Sequence, residues 1–139
     1  MRQSPNRIWF IVLLGAALVA IAGLGRFMSG KDRIPWRDDF AAAGRESVAV
    51  HKPVFAYFTA AWCEPCQSLR HTTWADAGVA KALSAYVPVK IDIDAHPDLA
   101  AHYAPDAIPT FVVLKEDGSV VKSETGVLMP EEFLTWLNG

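Results

Sequence analysis

The chain contains very little cysteine. Only two of its 139 residues are cysteines, Cys63 and Cys66, so a framework of several structural disulfides is excluded. Two residues separate them, a spacing found in redox pairs and in halves of zinc sites. A zinc site would need histidines at short, finger-like spacing, and the four histidines of this chain are not spaced in that way. The residues therefore favour a redox pair and no metal.

The chain also lacks an excess of either charge. It carries 13 basic and 15 acidic residues, for a net charge of −2. The first 25 residues contain Arg2 and Arg7 but no acid, so the remainder is more acidic still. Proteins that bind nucleic acids carry basic patches, and this balance argues against such a partner. Repeats and low-complexity tracts are absent, which leaves one domain of ordinary size plus an appendage.

One long apolar run stands out, from Ile8 to Gly25, with Arg7 before it and Arg26 after it. As a helix it would be about 27 Å long, close to the thickness of a bilayer core. Behind the basic start of the chain, Ala20-Ile21-Ala22 has the form of a signal peptidase site. The run is therefore an anchor or a cleaved signal, and its length and the nearby Arg26 favour the anchor.

The predicted organisation is an anchor or signal segment over residues 1–25, a linker over 26–35 and a folded domain over 36–139. Both interpretations of the first segment place the domain outside the cytoplasm. We expect a single-pass inner-membrane protein with its domain in the periplasm or another extracytoplasmic space. The alternative is secretion after cleavage near Ala22. Basic residues flank the run on both sides, so the charges do not decide its orientation.

The remaining sequence predicts alternating strands and helices. Val54–Thr59 is apolar nearly throughout, as expected of a central strand buried on both faces, and Val87–Ile93 alternates like a strand with one polar side. Asp117-Gly118 predicts the turn of a hairpin between strands at 110–114 and 119–122. Helices are predicted over 36–47, 63–73, 75–85, 97–103 and 130–137. This order predicts an α/β fold with a mixed sheet and helices on both faces.

The motif Cys63-Glu64-Pro65-Cys66, at the start of a predicted helix, suits thiol-disulfide exchange. Exchange needs one ionisable thiol that attacks and a second within reach that resolves the mixed disulfide. At a helix N-terminus, free N–H groups and the helix dipole stabilise a Cys63 thiolate. Cys63 is therefore the predicted attacker and Cys66 the resolver. Pro65 is tolerated because it lies in the first turn.

The nine residues Phe-Thr-Ala-Ala-Trp-Cys-Glu-Pro-Cys that end at Cys66, followed by Ile108-Pro109-Thr110, resemble the thioredoxin superfamily. The resemblance extends over 36–139 and implies a thioredoxin-like three-layer α/β/α fold. It also implies that Pro109 is cis beside the disulfide and that Ile108 offers its backbone to an extended substrate. Trp62 is expected to shield the disulfide and to contact the disulfide-containing protein substrate.

Two narrower resemblances concern electron flow. Residues 72–79 are similar to the C-terminal periplasmic domain of the electron conveyor DsbD, and the Cys-Glu-Pro-Cys motif resembles membrane-anchored reductases of cytochrome c maturation. They imply a membrane electron donor and a protein-disulfide reductase. Pro65 matches the reducing members, and a carboxylate at Glu64 opposes the unusually stable thiolate of a strong oxidant. Glu64 and Pro65 are thus predicted modulators of a monomeric enzyme without a cofactor.

The sequence departs from the superfamily at Tyr57. Thioredoxins place a buried aspartate there, six residues before the first cysteine, and Lys90 aligns with the lysine that accompanies it. The usual proton acceptor for Cys66 is therefore missing, and Glu64 or water is predicted to replace it. Two other functions stay open at this stage. One is an oxidase or isomerase, and the other is a tethered module that binds a peptide or metal and whose disulfide is only structural.

Overall fold

A computed structural model describes residues 30–104 and 106–139. The predicted anchor or signal segment, 1–25, and the first part of the predicted linker lie outside these residues. Across the ranges that are described, no helix combines the length and the apolar character needed to cross a bilayer.

The described residues form five α-helices and four strands, in an order that matches the predicted one. The helices are α1 Phe40–Val50, α2 Glu64–His71, α3 Ala77–Leu83, α4 Pro97–Tyr103 and α5 Pro130–Asn138. The strands are β1 Val54–Thr59, β2 Val87–Asp92, β3 Thr110–Leu114 and β4 Val120–Thr125. A 3-10 turn, Thr73–Ala75, lies between α2 and α3.

The sheet is mixed, with strand order β2-β1-β3-β4. β1 runs parallel to β2 and antiparallel to β3, and β4 pairs antiparallel with β3. The prediction of β1 as a central strand is confirmed, since every residue from Val54 to Phe58 is buried. The predicted hairpin is also present, and Gly118 in its turn has a φ of 83°, which glycine adopts without steric cost.

Helices cover both faces of the sheet. Because side chains alternate along a strand, Phe55 and Tyr57 of β1 face one side, and Val54, Ala56 and Phe58 face the other. The first side packs against the layer that contains α2, α3 and α5, and the second against α1 and α4. The predicted α/β fold with a mixed sheet is thereby confirmed.

The first helix begins later than predicted. Residues 36–39 are not helical, because the backbone of Arg37 pairs with the outer edge of β2. Its N–H donates to the Pro88 carbonyl and its carbonyl accepts from the Lys90 N–H, both at 2.9 Å. α1 starts only after Asp39, whose side chain caps it by accepting from the Ala42 N–H at 2.8 Å.

Residues 30–35, which the sequence assigned to a linker, pack against the folded domain. Ile34 is buried in the layer that contains α2, α3 and α5, and the Arg33 N–H donates to the Trp74 carbonyl at 2.8 Å. Gly30 lies against the 3-10 turn, where a Cβ would stand only 2.2 Å from the Cβ of Ala75. The packed unit therefore includes residues that precede the predicted domain boundary at Trp36.

Candidate functional site

The two cysteines are joined by a disulfide at the N-terminus of α2. Their Cα atoms are 5.3 Å apart. Cys63 is the N-cap, and its Sγ accepts from the Cys66 N–H at 3.2 Å. A helix N-terminus favours negative charge, so a thiolate at Cys63 would be stabilised by the same N–H and by the helix dipole. The predicted placement at a helix start is confirmed, and the roles of the two thiols stay predictions.

The local chain positions this pair at the carboxyl end of β1. A turn connects strand and helix, closed by a hydrogen bond from the Cys63 N–H to the Ala60 carbonyl at 3.2 Å. Gln67 on α2 ties back to the same turn, since its side-chain amide donates to the Ala61 carbonyl at 3.0 Å. Glu64 is exposed in the first turn of α2, and Pro65 lies beside it where a missing N–H costs nothing.

Trp62 is the most exposed large apolar side chain among the described residues, with 65% of its surface accessible. Its indole N–H donates to a carboxylate oxygen of Asp94 at 2.8 Å, and the Asp94 N–H donates to Asp92 at 2.9 Å. Asp94 thus holds the indole next to the disulfide. The sequence did not identify Asp94 as a site residue, because nothing in its local pattern indicates a partner 32 residues away.

The loop before β3 carries two further residues that the sequence predicted for the site, Ile108 and Pro109. The Ile108–Pro109 bond is cis, as the superfamily resemblance implies. Pro109 is buried, and its carbonyl accepts from the Gly126 N–H at 2.9 Å. Ile108 is half-buried and packs against the same hydrophobic cluster that contains both cysteines. The roles of Trp62, Ile108 and Pro109 towards a substrate stay predictions.

Tyr57 lies directly beneath α2. Its side chain is 2% exposed, and its hydroxyl donates to the Cys66 carbonyl at 3.4 Å. Burial raises the pKa of this phenol above its ordinary value of 10.0, an effect only partly opposed by the side chains of Thr59 and Trp74. Tyr57 therefore remains protonated at neutral pH and acts there as a hydrogen-bond donor.

A cleft of about 520 Å³ opens beside Cys66 and Tyr57. Its lining includes charged or titratable side chains from four parts of the chain: Asp32, Asp38, Arg70, Lys90, Asp92 and His96. Lys90 stands opposite Tyr57 in the parallel register of β1 and β2. The sequence did not predict that Asp32 lines this cleft, since Asp32 belongs to the segment that was assigned to a linker.

The described residues offer no arrangement for a metal ion. No group of three or more histidine, cysteine or acidic side chains converges there. All four histidines are exposed.

Sequence comparison relates the chain to thioredoxins. The pattern that defines the thioredoxin-like domain family matches residues 40–139. Mouse mitochondrial thioredoxin is 40% identical over 75 residues, which make up 54% of this chain and 43% of that protein. The chain thus matches less than half of the length of that relative.

Two solved structures show the same fold. A thioredoxin from Thermus thermophilus superposes with a TM-score of 0.67 at 27% identity, over 76% of this chain and 85% of that one. The oxidised C-terminal domain of DsbD from Neisseria meningitidis gives a TM-score of 0.64 at 27% identity, over 74% of this chain and 97% of that one. The resemblance to both groups is confirmed, and the chain belongs to the family of thioredoxin-like domains.

Proposed function

We propose that this protein is a thiol-disulfide oxidoreductase that reduces protein disulfides in an extracytoplasmic space. The observation that carries the proposal is the Cys63–Cys66 disulfide, which caps α2 beside the exposed Trp62. An exposed indole next to a reactive sulfur offers an apolar contact to a polypeptide, as aromatic side chains do in many recognition surfaces.

The proposed reaction begins with the reduced pair. The Cys63 thiolate attacks one sulfur of the substrate disulfide, forms a mixed disulfide and releases the other substrate sulfur as a thiolate, which takes up a proton. Cys66 then loses its proton and attacks the Cys63 sulfur, which breaks the bond to the substrate. The substrate gains two electrons, and the Cys63–Cys66 disulfide forms. A dithiol donor must then reduce that disulfide again.

Two features support a reductant over an oxidant. Glu64 places a carboxylate in the first turn beside Cys63, which opposes extreme stabilisation of the thiolate, and a strong oxidant depends on such stabilisation. Pro65, between the two cysteines, also matches the reducing members of the superfamily that the chain resembles. We further propose that residues 1–25 anchor the chain in the inner membrane, with the domain on the extracytoplasmic side and a membrane protein as its electron donor.

The test is a pair of single substitutions in the full chain, Cys66→Ser and Cys63→Ser, each incubated in reduced form with insulin as a disulfide-containing probe. Cys66→Ser should accumulate a mixed disulfide through Cys63, because no second thiol is present to resolve it. The mixed disulfide is detected by mass spectrometry as an increase in mass that treatment with dithiothreitol reverses. Cys63→Ser is the matched control and should accumulate far less, since Cys63 is the helix N-cap, where the helix dipole stabilises a thiolate, and Cys66 is not. Absence of any Cys63-linked adduct would exclude the proposed reaction.

A further inference from the structure

We propose that Asp32 is the proton acceptor for Cys66 when Cys66 resolves the mixed disulfide. This inference rests on the proposed function, because it concerns the second step of that exchange. It assigns a role to the segment that precedes α1.

The step requires an acceptor, and the usual one is absent. The Cys66 thiol must lose a proton before its sulfur can attack Cys63. Tyr57 occupies the position of the superfamily aspartate and cannot serve, because its hydroxyl is protonated and donates to the Cys66 carbonyl. Glu64 lies on the exposed side of the first turn of α2 and does not line the cleft beside Cys66.

Asp32 is held in place by neighbouring donors. One carboxylate oxygen accepts from the Ile34 N–H at 3.0 Å, and the other accepts from the indole N–H of Trp36 at 3.0 Å. Trp36 in turn packs against Tyr57, with 5.4 Å between ring centroids. The carboxylate is therefore positioned through a direct chain of contacts that ends at the tyrosine bound to Cys66.

Asp32 and Cys66 line the same cleft. The charge of Asp32 also contributes to the raised pKa of Tyr57, so the carboxylate acts on the part of the cleft where Tyr57 and Cys66 meet. A liquid water molecule occupies about 30 Å³, so a cleft of about 520 Å³ has room for a short proton relay between the thiol and the carboxylate.

The other charged groups of the cleft suit the same step. Arg70, on α2, and Lys90, on β2, line the cleft together with Cys66, and positive charge there favours the thiolate that forms at Cys66. Asp38, Asp92 and His96 complete the titratable lining. In the proposed step the Cys66 proton passes to Asp32, the Cys66 sulfur bonds to the Cys63 sulfur, and the bond from Cys63 to the substrate sulfur breaks. The substrate thiolate leaves with the electron pair of that bond, and Asp32 later returns its proton to solvent.

The experiment separates the two steps with 5,5′-dithiobis(2-nitrobenzoate) as the disulfide probe. In the reduced full chain, attack by Cys63 on the disulfide of the probe releases a first coloured thiolate at a rate that depends on the probe concentration. Resolution by Cys66 releases a second coloured thiolate, at a rate that does not depend on the probe concentration. Asp32→Asn keeps the shape and one acceptor oxygen of the side chain and removes its basicity. Asp98→Asn is the matched control, because Asp98 is an exposed aspartate that does not line the cleft.

Asp32→Asn should slow the second release by about 100-fold near neutral pH, as the loss of a general base does, and leave the first release unchanged. The second rate should then rise in proportion to hydroxide, so that the deficit shrinks as the pH increases. Asp32→Glu, which restores a carboxylate, should recover part of the rate, and Asp98→Asn should behave like the wild type.

Three results would overturn the inference. One is an unchanged second release in Asp32→Asn. Another is a faster second release, the result expected if Asp32 only repels the Cys66 thiolate. The third is an equal slowing of both steps at every pH, which indicates a structural role. Failure of the proposed function is distinct, because the wild type would then release neither thiolate rapidly.

Discussion

Tyr57 shows how one side chain alters the chemistry of the pair. A phenol fills a buried position beneath Cys66 where an aspartate would bring a negative charge. Because burial disfavours the phenolate, Tyr57 contributes a neutral donor to the Cys66 carbonyl and leaves proton transfer to another group. The apolar packing around it, against Trp36 and Trp74, is what makes its ionisation costly.

The raised pKa of Tyr57 makes a prediction about alkaline stability. In the unfolded chain the phenol ionises at about its ordinary value of 10.0, whereas in the folded protein it keeps its proton to higher pH. Its contribution to stability is therefore complete below pH 10 and is lost as the pH rises above that value. The free energy of unfolding of Tyr57→Phe should not fall in this way at high pH. Near pH 8 it should be lower than that of the wild type by about 0.5–1.5 kcal/mol, because the hydrogen bond is missing.

Urea unfolding of the wild type and of Tyr57→Phe between pH 8 and pH 11 provides the measurement. Tyr103→Phe is the control for the hydrogen bond, since the Tyr103 hydroxyl donates to the Gly118 carbonyl at a similar 3.3 Å. The stability difference between wild type and Tyr57→Phe should narrow above pH 10. A constant difference over the whole range would show that the phenol is not held neutral by the fold.

Single residues were the least predictable part of the site. The cysteines could be assigned from their spacing, because a three-residue offset at a helix start brings the second thiol within reach of the first. Asp94 and Asp32 could not be assigned from the sequence. The tertiary structure alone brings Asp94 to the Trp62 indole and Asp32 to the cleft beside Cys66. Their local sequence is that of ordinary polar surface.

At the level of the elements, the hydrophobic pattern predicted those bounds of helices and strands that local sequence determines. The bounds of β1 and α4 match the prediction, since a continuous apolar run and a proline at the first helical position are local signals. The start of α1 was wrong because Arg37 pairs with β2, a tertiary contact that outweighs helix propensity. The end of α2 was also misplaced, because a separate 3-10 turn begins at Thr73.

The N-cap of α3 leads to a prediction about the stability of one element. Asp76 begins α3, and its carboxylate accepts from the Val79 N–H at 2.9 Å. Asp76→Ala should lower the free energy of unfolding by about 1 kcal/mol, because a first-turn N–H loses its acceptor. Asp76→Asn is the matched control and should stay close to the wild type, since asparagine caps about equally well. Thermal unfolding of both variants measures the difference, and equal losses would contradict a capping role.

At the scale of the whole molecule, the fold brings together parts of the chain that are far apart in sequence to form the cleft beside Cys66. β1 carries the chain to α2, β2 contributes Lys90 and Asp92, and the segment before α1 brings Asp32 to the cleft. The fold class followed from the order of elements, as helices on both faces are needed to bury a strand like β1. The packing of residues 30–35 against the domain could not be predicted from the sequence, because polar residues near a proline are typical of linkers.

The reduction potential of the Cys63–Cys66 pair tests the proposed reductase most directly. It can be measured on the full chain by equilibration in redox buffers of known ratio, followed by trapping of the free thiols. We predict a value near that of thioredoxin, about −270 mV, which would let the dithiol reduce less stable protein disulfides. A value near about −120 mV, typical of a strong oxidant, would contradict it. So would a value below about −300 mV with slow exchange, the behaviour of a structural disulfide.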